Sequence, residues 1–509
     1  MAKEELKIGV ILSYVSMALN MVIQLFYTPV MISLLGQSEY GLYNLVGSVI
    51  SYLSLFSFGF NGAYLRFSTR TEKNGDRKEL ARLNGMFLLL FLSMSAAAFV
   101  CGMLLSQYTA QLLGSNLTSY ELGTAKKLMQ ILAFNMALTF PSTLFDSMVS
   151  AHEQFLFQRL LTLAGVLCNP LVCLPLLLMG HGSVMLVTVT TCITVGKLIA
   201  NLWFCLKKLN VPFRFDRFDG SLLKEIAGFS VFLFINMIID QANWSVDKFI
   251  LGRVAGTGAV AVYSLGAQIN SLILQFSTAV SSVFSPRVNR IAASDSKGMR
   301  AEFTELMIRV GRIQCLILML IISGFAVFGH FFITELYATQ EYAQTYAVAL
   351  LLIVPEIIPL IQNLGIEIQR AMNMHQFRSI VYLLMAIVNV AISIPLARHF
   401  GPAGAALGTA IGILVANGLI MNLFYYKAMG LDMIAYWRSI LQLLRGMLIP
   451  LVIGYCINRF VVLHGIWDFA LWVAVYAVVY GACCWLFSMN KYEKNLVCTL
   501  VKKLLRRSA

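Results

Sequence analysis

Four cations stand inside or at the ends of long apolar runs: Arg66, Lys197, Lys248 and Arg253. Lys197 is the most telling, because Ile193-Thr-Val-Gly precedes it and Leu198-Ile-Ala follows. A charge at membrane depth costs at least about 2.5–3.5 kcal/mol unless it faces a cavity or a partner. Such cations would line a wet, partly cationic cavity. The plainer readings are that Lys197 snorkels or pairs with an acid, that Arg66 is an inner-surface anchor, and that Lys248 pairs with Asp247 or sits at the outer interface. Acids inside the runs are few. Asp240 shares a polar helical face with Asn236 and Asn243, at spacings of four and three. Glu356 follows Pro355 with Pro359 beyond, so its helix should kink there. Asp146 follows Pro141 near the end of another run. An acid of this kind can bind H+ or Na+ and couple its release to a reorientation, or it can neutralise Lys197. Asn20 and Gln24 lie one turn apart in the first run and would line the same cavity or hydrogen-bond between helices.

Covalent catalysis finds no support. The ten cysteines lie in apolar runs, at their ends or in the basic tail, and none forms a CxxC pair on a polar loop. They read as small packing residues. The six histidines have no metal spacing, so no cofactor is expected. The longest outside loop, about 106–126, has one acid, Glu121, and no histidine. No nucleotide loop or nucleophile–base pair stands out.

The elements that must position these residues are membrane helices. The chain has 509 residues, 59% hydrophobic and 12% charged, where a soluble chain carries roughly 25% charged residues. Runs of about 20 apolar residues recur from end to end, and only a bilayer can be their solvent. We count about fourteen: 8–35, 42–64, 84–106, 127–149, 160–179, 184–206, 227–250, 260–283, 308–332, 345–366, 379–397, 403–425, 443–463 and 466–488. The fold class is therefore an all-α polytopic membrane protein. Residues 1–206 form a first six-helix bundle, 207–226 a cytoplasmic linker and 227–426 a second bundle. Residues 427–490 carry two further helices, and 491–509 a basic amphipathic tail of interfacial type. Of the 38 Lys and Arg residues, 31 fall on one side of this arrangement, 6 on the other, and Lys197 within a span. That asymmetry places both termini in the cytoplasm. It also accounts for the net charge of +14 without nucleic acid, since topogenic charges meet anionic headgroups.

The bundles read as a duplication. At an offset of 220, Gly36, Tyr43, Leu45, Ser51, Phe56, Ser57 and Arg70 fall on Gly256, Tyr263, Leu265, Ser271, Phe276, Ser277 and Arg290. The same offset puts Asn169 on Asn389 and Pro175 on Pro395. His152-Glu-Gln-Phe155 resembles Met374-His-Gln-Phe377, at an offset of 222. An even number of spans per copy gives both copies the same orientation, a parallel repeat, as in transporters that rock about a central cavity.

Leu35-Gly-Gln-Ser-Glu-Tyr-Gly-Leu-Tyr43, Asp247-Lys-Phe-Ile-Leu-Gly252 and Tyr263-Ser-Leu-Gly266 resemble the polysaccharide flippases of the multidrug/oligosaccharidyl-lipid/polysaccharide superfamily. The resemblance extends over the chain through the six-plus-six-plus-two layout. It implies a V-shaped pair of bundles in a bacterial cytoplasmic membrane, moving an undecaprenyl-diphosphate-linked oligosaccharide to the outer leaflet by alternating access. Moving such a charged head group needs a wet, partly cationic cavity, for which Arg66, Lys197, Lys248, Arg253, Asn20, Gln24 and Asn243 are the candidates. Asp240, Glu356 and Asp146 become candidates for coupling to H+ or Na+. A polysaccharide polymerase or glycosyltransferases would be its protein partners. A lipid II or sporulation-type precursor flippase is the nearest alternative, and a multidrug/cation antiporter a more distant one.

Overall fold

The computed structural model describes residues 2–73, 76–114, 117–215, 220–294 and 298–507. The expected linker and tail extend into 216–219 and 508–509, which lie outside the described residues. Among the described residues the chain is helical and contains no strand. The helices are α1 (Ala2–Ser51), α2 (Phe60–Lys73), α3 (Arg77–Gln107), α4 (Thr109–Leu113), α5 (Ser119–Ala151), α6 (Phe155–Leu178), α7 (Ser183–Trp203), α8 (Gly220–Ser282) and α9 (Ser285–Ala293). They continue as α10 (Met299–Phe331), α11 (Gln344–Ile361), α12 (Leu364–Ala371), α13 (His375–Ile413), α14 (Asn422–Lys427), α15 (Met433–Leu441), α16 (Leu448–Phe460), α17 (Ile466–Phe487) and α18 (Lys491–Arg507).

Ten of the described helical stretches are long and apolar enough to cross a membrane, or eleven if the bent pair Met433–Gly446 and Leu448–Phe460 is one span. This differs from fourteen runs for a local reason. Three stretches of 50 to 58 residues run through positions expected to be loops. Each contains a glycine with positive φ at the expected loop, Gly36 (φ 75°, ψ 170°), Gly256 (φ 82°, ψ −177°) and Gly401 (φ 58°, ψ −135°), and the first stretch breaks again at Phe58 and Gly59. The expected polar loop at 36–41 is thus a single-residue break with helix on both sides. The first two glycines occupy a backbone region open essentially to glycine alone.

The chain divides into two compact units, Met1–Ser264 and Leu265–Ala509, so the division falls within α8. The expected seventh span belongs with the first six in this division. In the first unit, small residues facing each other let helices approach closely. A Cβ on Gly102 of α3 would stand 2.4 Å from the Ala133 side chain of α5, the close approach that small residues permit between membrane helices. The linker is ordered where it is described. Arg214 N donates to Ala81 O at 2.9 Å, and Asn84 Nδ2 donates to Pro212 O at 3.0 Å.

In the second unit the last helices are fastened by a buried cation. Arg312 of α10 donates from Nε to Glu493 Oε1 (2.5 Å), from Nη2 to Glu493 Oε2 (3.0 Å) and Ser488 O (2.9 Å), and from Nη1 to Ser439 O (2.7 Å). The side chains of Arg312 and Glu493 are 4% and 3% exposed. Glu493 also accepts from Asn490 N while Glu493 N donates to Asn490 Oδ1, a capping box at the start of α18. The expected amphipathic tail therefore begins as a docked helix. All ten cysteines are free thiols.

Local devices recur 220 residues apart. Phe157 stacks on Phe204 with centroids 3.9 Å apart, and Phe377 on Phe424 at 4.3 Å. Asn169 Nδ2 donates to Thr190 Oγ1 at 3.1 Å, and Asn389 Nδ2 to Thr409 Oγ1 at 3.3 Å, the acceptors being 219 residues apart. Positive φ recurs at Glu153 and Asn373, and at Asn210 and Gly430. Gln154 N donates to Val149 O and Met374 N to Gln369 O. This corrects the sequence match of His152–Phe155 with Met374–Phe377. The structural register there stays at 220, so the offset of 222 was a chance likeness of residue letters.

Candidate functional site

Helix α5 starts from a capping box, with Thr118 Oγ1 accepting from Glu121 N and Glu121 Oε2 accepting from Thr118 N. It carries Pro141 and, five residues on, half-buried Asp146. Helix α7 presents Lys197 and Asn201 one turn apart. Lys197 Nζ lies 2.5 Å from Asp146 Oδ2, and Asn201 Nδ2 lies 2.7 Å from Asp146 Oδ1. Lys197 remains 36% exposed and Asp146 17%. The polar seam continues along the same two helices, where Asn135 Nδ2 donates to Thr191 Oγ1 (3.2 Å) and Thr194 Oγ1 (3.1 Å). Residues expected to serve separately, Lys197 for an anion and Asp146 for a coupling ion, are thus directly bonded. Both carboxylate oxygens are engaged. The pair meets the need of a membrane-depth cation for a partner, and it is only partly buried.

The other expected residues are more dispersed. Asn20 and Gln24 are half-buried on α1, and Arg66 is exposed on α2. On α8, Asn236 and Asp240 are exposed and Asn243 is half-buried. Another face of that helix carries a hydrogen-bonded cluster. Gln241 Nε2 donates to Ser51 Oγ and, at 2.5 Å, to Ser245 Oγ, and Ser51 and Ser245 hydroxyls lie 3.0 Å apart. The spacing of four between Gln241 and Ser245 was the available signal. Lys248 is half-buried beside Asp247, which is 2% exposed and accepts from Tyr263 Oη at 2.6 Å. Arg253 is exposed, with its side-chain stem against the open face of Gly114. Glu356 is half-buried in the second unit, between Pro355 and Pro359 of α11.

Glu121, the one acid of the expected outside loop at about 106–126, is a hub of the first unit. Its Oε1 accepts from Ser38 Oγ at 2.5 Å and Thr257 Oγ1 at 2.9 Å. Ser38 and Thr257 stand just past Gly36 and Gly256, the two matched breaks. Close contact is built in there: a Cβ on Gly41 would fall 1.9 Å from Thr257 O, and one on Gly252 2.4 Å from the Leu45 side chain. Glu39 Oε1 likewise accepts from Ser183 N (2.7 Å) and Ser183 Oγ (2.8 Å), capping α7 and thereby fixing the helix that bears Lys197. The Thr118-x-x-Glu121 pattern was a sequence signal for the cap, though not for the hub. Among the described residues no three His, Cys, Asp or Glu side chains gather as a metal site would require. A cavity of about 790 Å³ in the second unit is lined by Phe328, His330, Glu335, Tyr346, Asn458 and His464 among others, none of them expected site residues.

Residues 30–347 match the family model described as polysaccharide biosynthesis protein. The chain belongs to the polysaccharide biosynthesis protein family. It is 21% identical over 441 residues, 83% of each chain, to the uncharacterized membrane protein EpsK of Bacillus subtilis (strain 168). Its fold is similar to that of lipid II flippase MurJ in an inward closed conformation, with a TM-score of 0.65 at 13% identity over 94% of this chain and 98% of that one. It is also similar to a multidrug resistance MATE transporter of the MOP superfamily in an inward-facing conformation, with a TM-score of 0.60 at 14% identity over 78% and 96% of the two chains. This family member is therefore a polytopic helical membrane protein, as the sequence resemblance implied. The solved relatives named here are a flippase and a transporter rather than enzymes.

Proposed function

We propose that this protein moves an undecaprenyl-diphosphate-linked oligosaccharide unit from the cytoplasmic to the outer leaflet of a bacterial membrane, by alternating access. The observation that carries the reading is the half-open Lys197–Asp146 pair within an otherwise apolar bundle. A diphosphate head group can take Lys197 from Asp146 without leaving the cation bare, and Asn201 keeps a hydrogen bond to the carboxylate that is released. Family membership supports a polysaccharide substrate. The likeness to a lipid II flippase across nearly the whole chain supports the fold needed to move a bulky head group. The excess of Lys and Arg on one side puts both termini in the cytoplasm. Reading the three glycine-broken stretches as two spans each, and the bent pair Met433–Gly446 and Leu448–Phe460 as one span, agrees with a count of fourteen.

Asp240 is the preferred acid for coupling to H+ or Na+, because it is exposed within a span. Asp240→Asn should abolish dependence on an ion gradient while leaving the protein folded. Unchanged gradient dependence would assign Asp240 a structural role. Polymerase or glycosyltransferase partners would dock on the basic cytoplasmic segments.

The test of substrate class is native mass spectrometry of the protein extracted gently with its own lipids. A retained polyprenyl-diphosphate saccharide supports the reading, and its head-group mass separates a polysaccharide unit from a peptidoglycan precursor. Retention of phospholipid alone, even after addition of a synthetic polyprenyl-diphosphate sugar, would overturn it in favour of an antiporter.

A further inference from the structure

The sequence counts Arg378 only among the inner-side basic residues, but the second unit builds an orientation for it. Arg378 is half-buried near the start of α13. Its guanidinium lies over the Tyr382 ring, 4.7 Å from the centroid, and Nη2 donates to Tyr382 Oη at 3.2 Å. Tyr382 Oη passes its own hydrogen to Asn417 Oδ1 at 2.5 Å. Asn417 lies in the π-helical segment Leu414–Met421, where the wider turn loosens the backbone ladder. Asn422 Nδ2 satisfies the carbonyls of Asn417 (2.6 Å) and Gly418 (3.1 Å). Asn422 Oδ1 in turn accepts from Gln362 Nε2 (2.9 Å) and Trp437 Nε1 (2.7 Å). Each hydrogen in this chain has one direction, and together they fix the face of Tyr382 on which the guanidinium rests.

The cation at its end is under-used. A guanidinium has five N–H donors, and among the described residues Arg378 makes one hydrogen bond and no ion pair. Glu356 is the acid whose field reaches it, without bonding to it. The matched positions in the first unit differ. At an offset of 220 Arg378 falls on Gln158, which bonds Ser150 Oγ and Asp146 O, and Asn417 falls on Lys197. The first copy thus holds a cation neutralised by a bonded carboxylate. The second copy holds one stacked, oriented and still offering four donors. A planar fork of free donors at the end of an apolar helix matches a phosphate bound through two oxygens.

We infer that Arg378 is a binding residue for the phosphate of an anionic lipid head group, with Tyr382, Asn417 and Asn422 as its positioning residues. The two sources of that phosphate are a polyprenyl diphosphate and a bulk anionic phospholipid. The experiment uses the full chain in phosphatidylcholine nanodiscs, titrated separately with undecaprenyl diphosphate and with dioleoyl phosphatidylglycerol. Bound lipid is counted by mass. Arg378→Gln should weaken binding of the recognised lipid about tenfold or more, as loss of charged hydrogen bonds requires. Arg378→Lys should recover part of this, because it restores charge without the fork. Tyr382→Phe keeps the ring and should cost a few-fold, with thermal stability close to wild type. A response confined to undecaprenyl diphosphate assigns the site to the transported class. A response confined to phosphatidylglycerol assigns it to bulk lipid. Binding of both lipids unchanged in Arg378→Gln would overturn the inference. The test is independent of transport: binding through Arg378 without saccharide movement would sink the flippase reading and leave this one standing.

Discussion

Two ion pairs of similar geometry sit in different surroundings in the two units. In the second, Arg312 and Glu493 are sealed, 4% and 3% exposed, and the guanidinium is saturated by Glu493, Ser488 and Ser439. In the first, Lys197 and Asp146 meet just as closely but remain 36% and 17% exposed. A sealed, fully bonded pair has no capacity for an outside ion and serves to fasten α10, α15 and α18. A half-open pair with one flexible ammonium keeps that capacity. The matched local devices of the two copies make the contrast sharper. Glycine breaks, aromatic stacks and Asn–Thr bonds are shared, whereas charges are placed differently. Helix geometry is the common inheritance of the two copies, and electrostatics is where they have diverged.

The strongest way to break this comparison is Glu493→Ala. Leaving buried Arg312 without its partner should destabilise the protein by about 3–5 kcal/mol. Reversible unfolding in mixed micelles would measure it, and transport per folded molecule should stay at the wild-type level. A transport defect without loss of stability would erase the distinction between the pairs. Next comes Lys197→Ala, for which transport should fall about tenfold or more, equivalent to at least about 1.4 kcal/mol, at normal expression and a melting temperature near wild type. Gly36→Ala and Gly256→Ala sharpen the shared side of the comparison. Neither added Cβ meets another atom within 4 Å, so each should cost about 1–3 kcal/mol of backbone strain alone, equally at the two sites. Unequal costs would show that the two breaks are not equivalent. The smallest effects are expected for Asn169→Ala and Asn389→Ala, about 0.6 kcal/mol each by the same unfolding measurement.

The membrane fold was legible because apolar runs of spanning length have no other solvent, and the repeat because glycines that permit the breaks cannot drift. The loops between paired spans were misread, since polar letters at 36–41 suggested a turn where one glycine suffices. Lys197 and Asp146 were each visible as costly charges. Their bond was not, because α5 and α7 are far apart in sequence and only packing brings residue 146 to residue 197. Gln241 was overlooked beside the more conspicuous Asp240, since a charge signals itself by its cost and a neutral amide does not. Glu493 looked like an ordinary residue of an amphipathic tail, and only the fold shows the buried arginine that it meets.

The most direct test of the account is transport by the purified protein in liposomes that carry a fluorescent undecaprenyl-diphosphate-linked saccharide. Membrane-impermeant quenching reports the leaflet in which the head group lies. Saccharide movement by the wild-type protein is expected, with a rate at least about tenfold lower in Lys197→Ala. No movement by the wild-type protein, or an undiminished rate in Lys197→Ala, would contradict it.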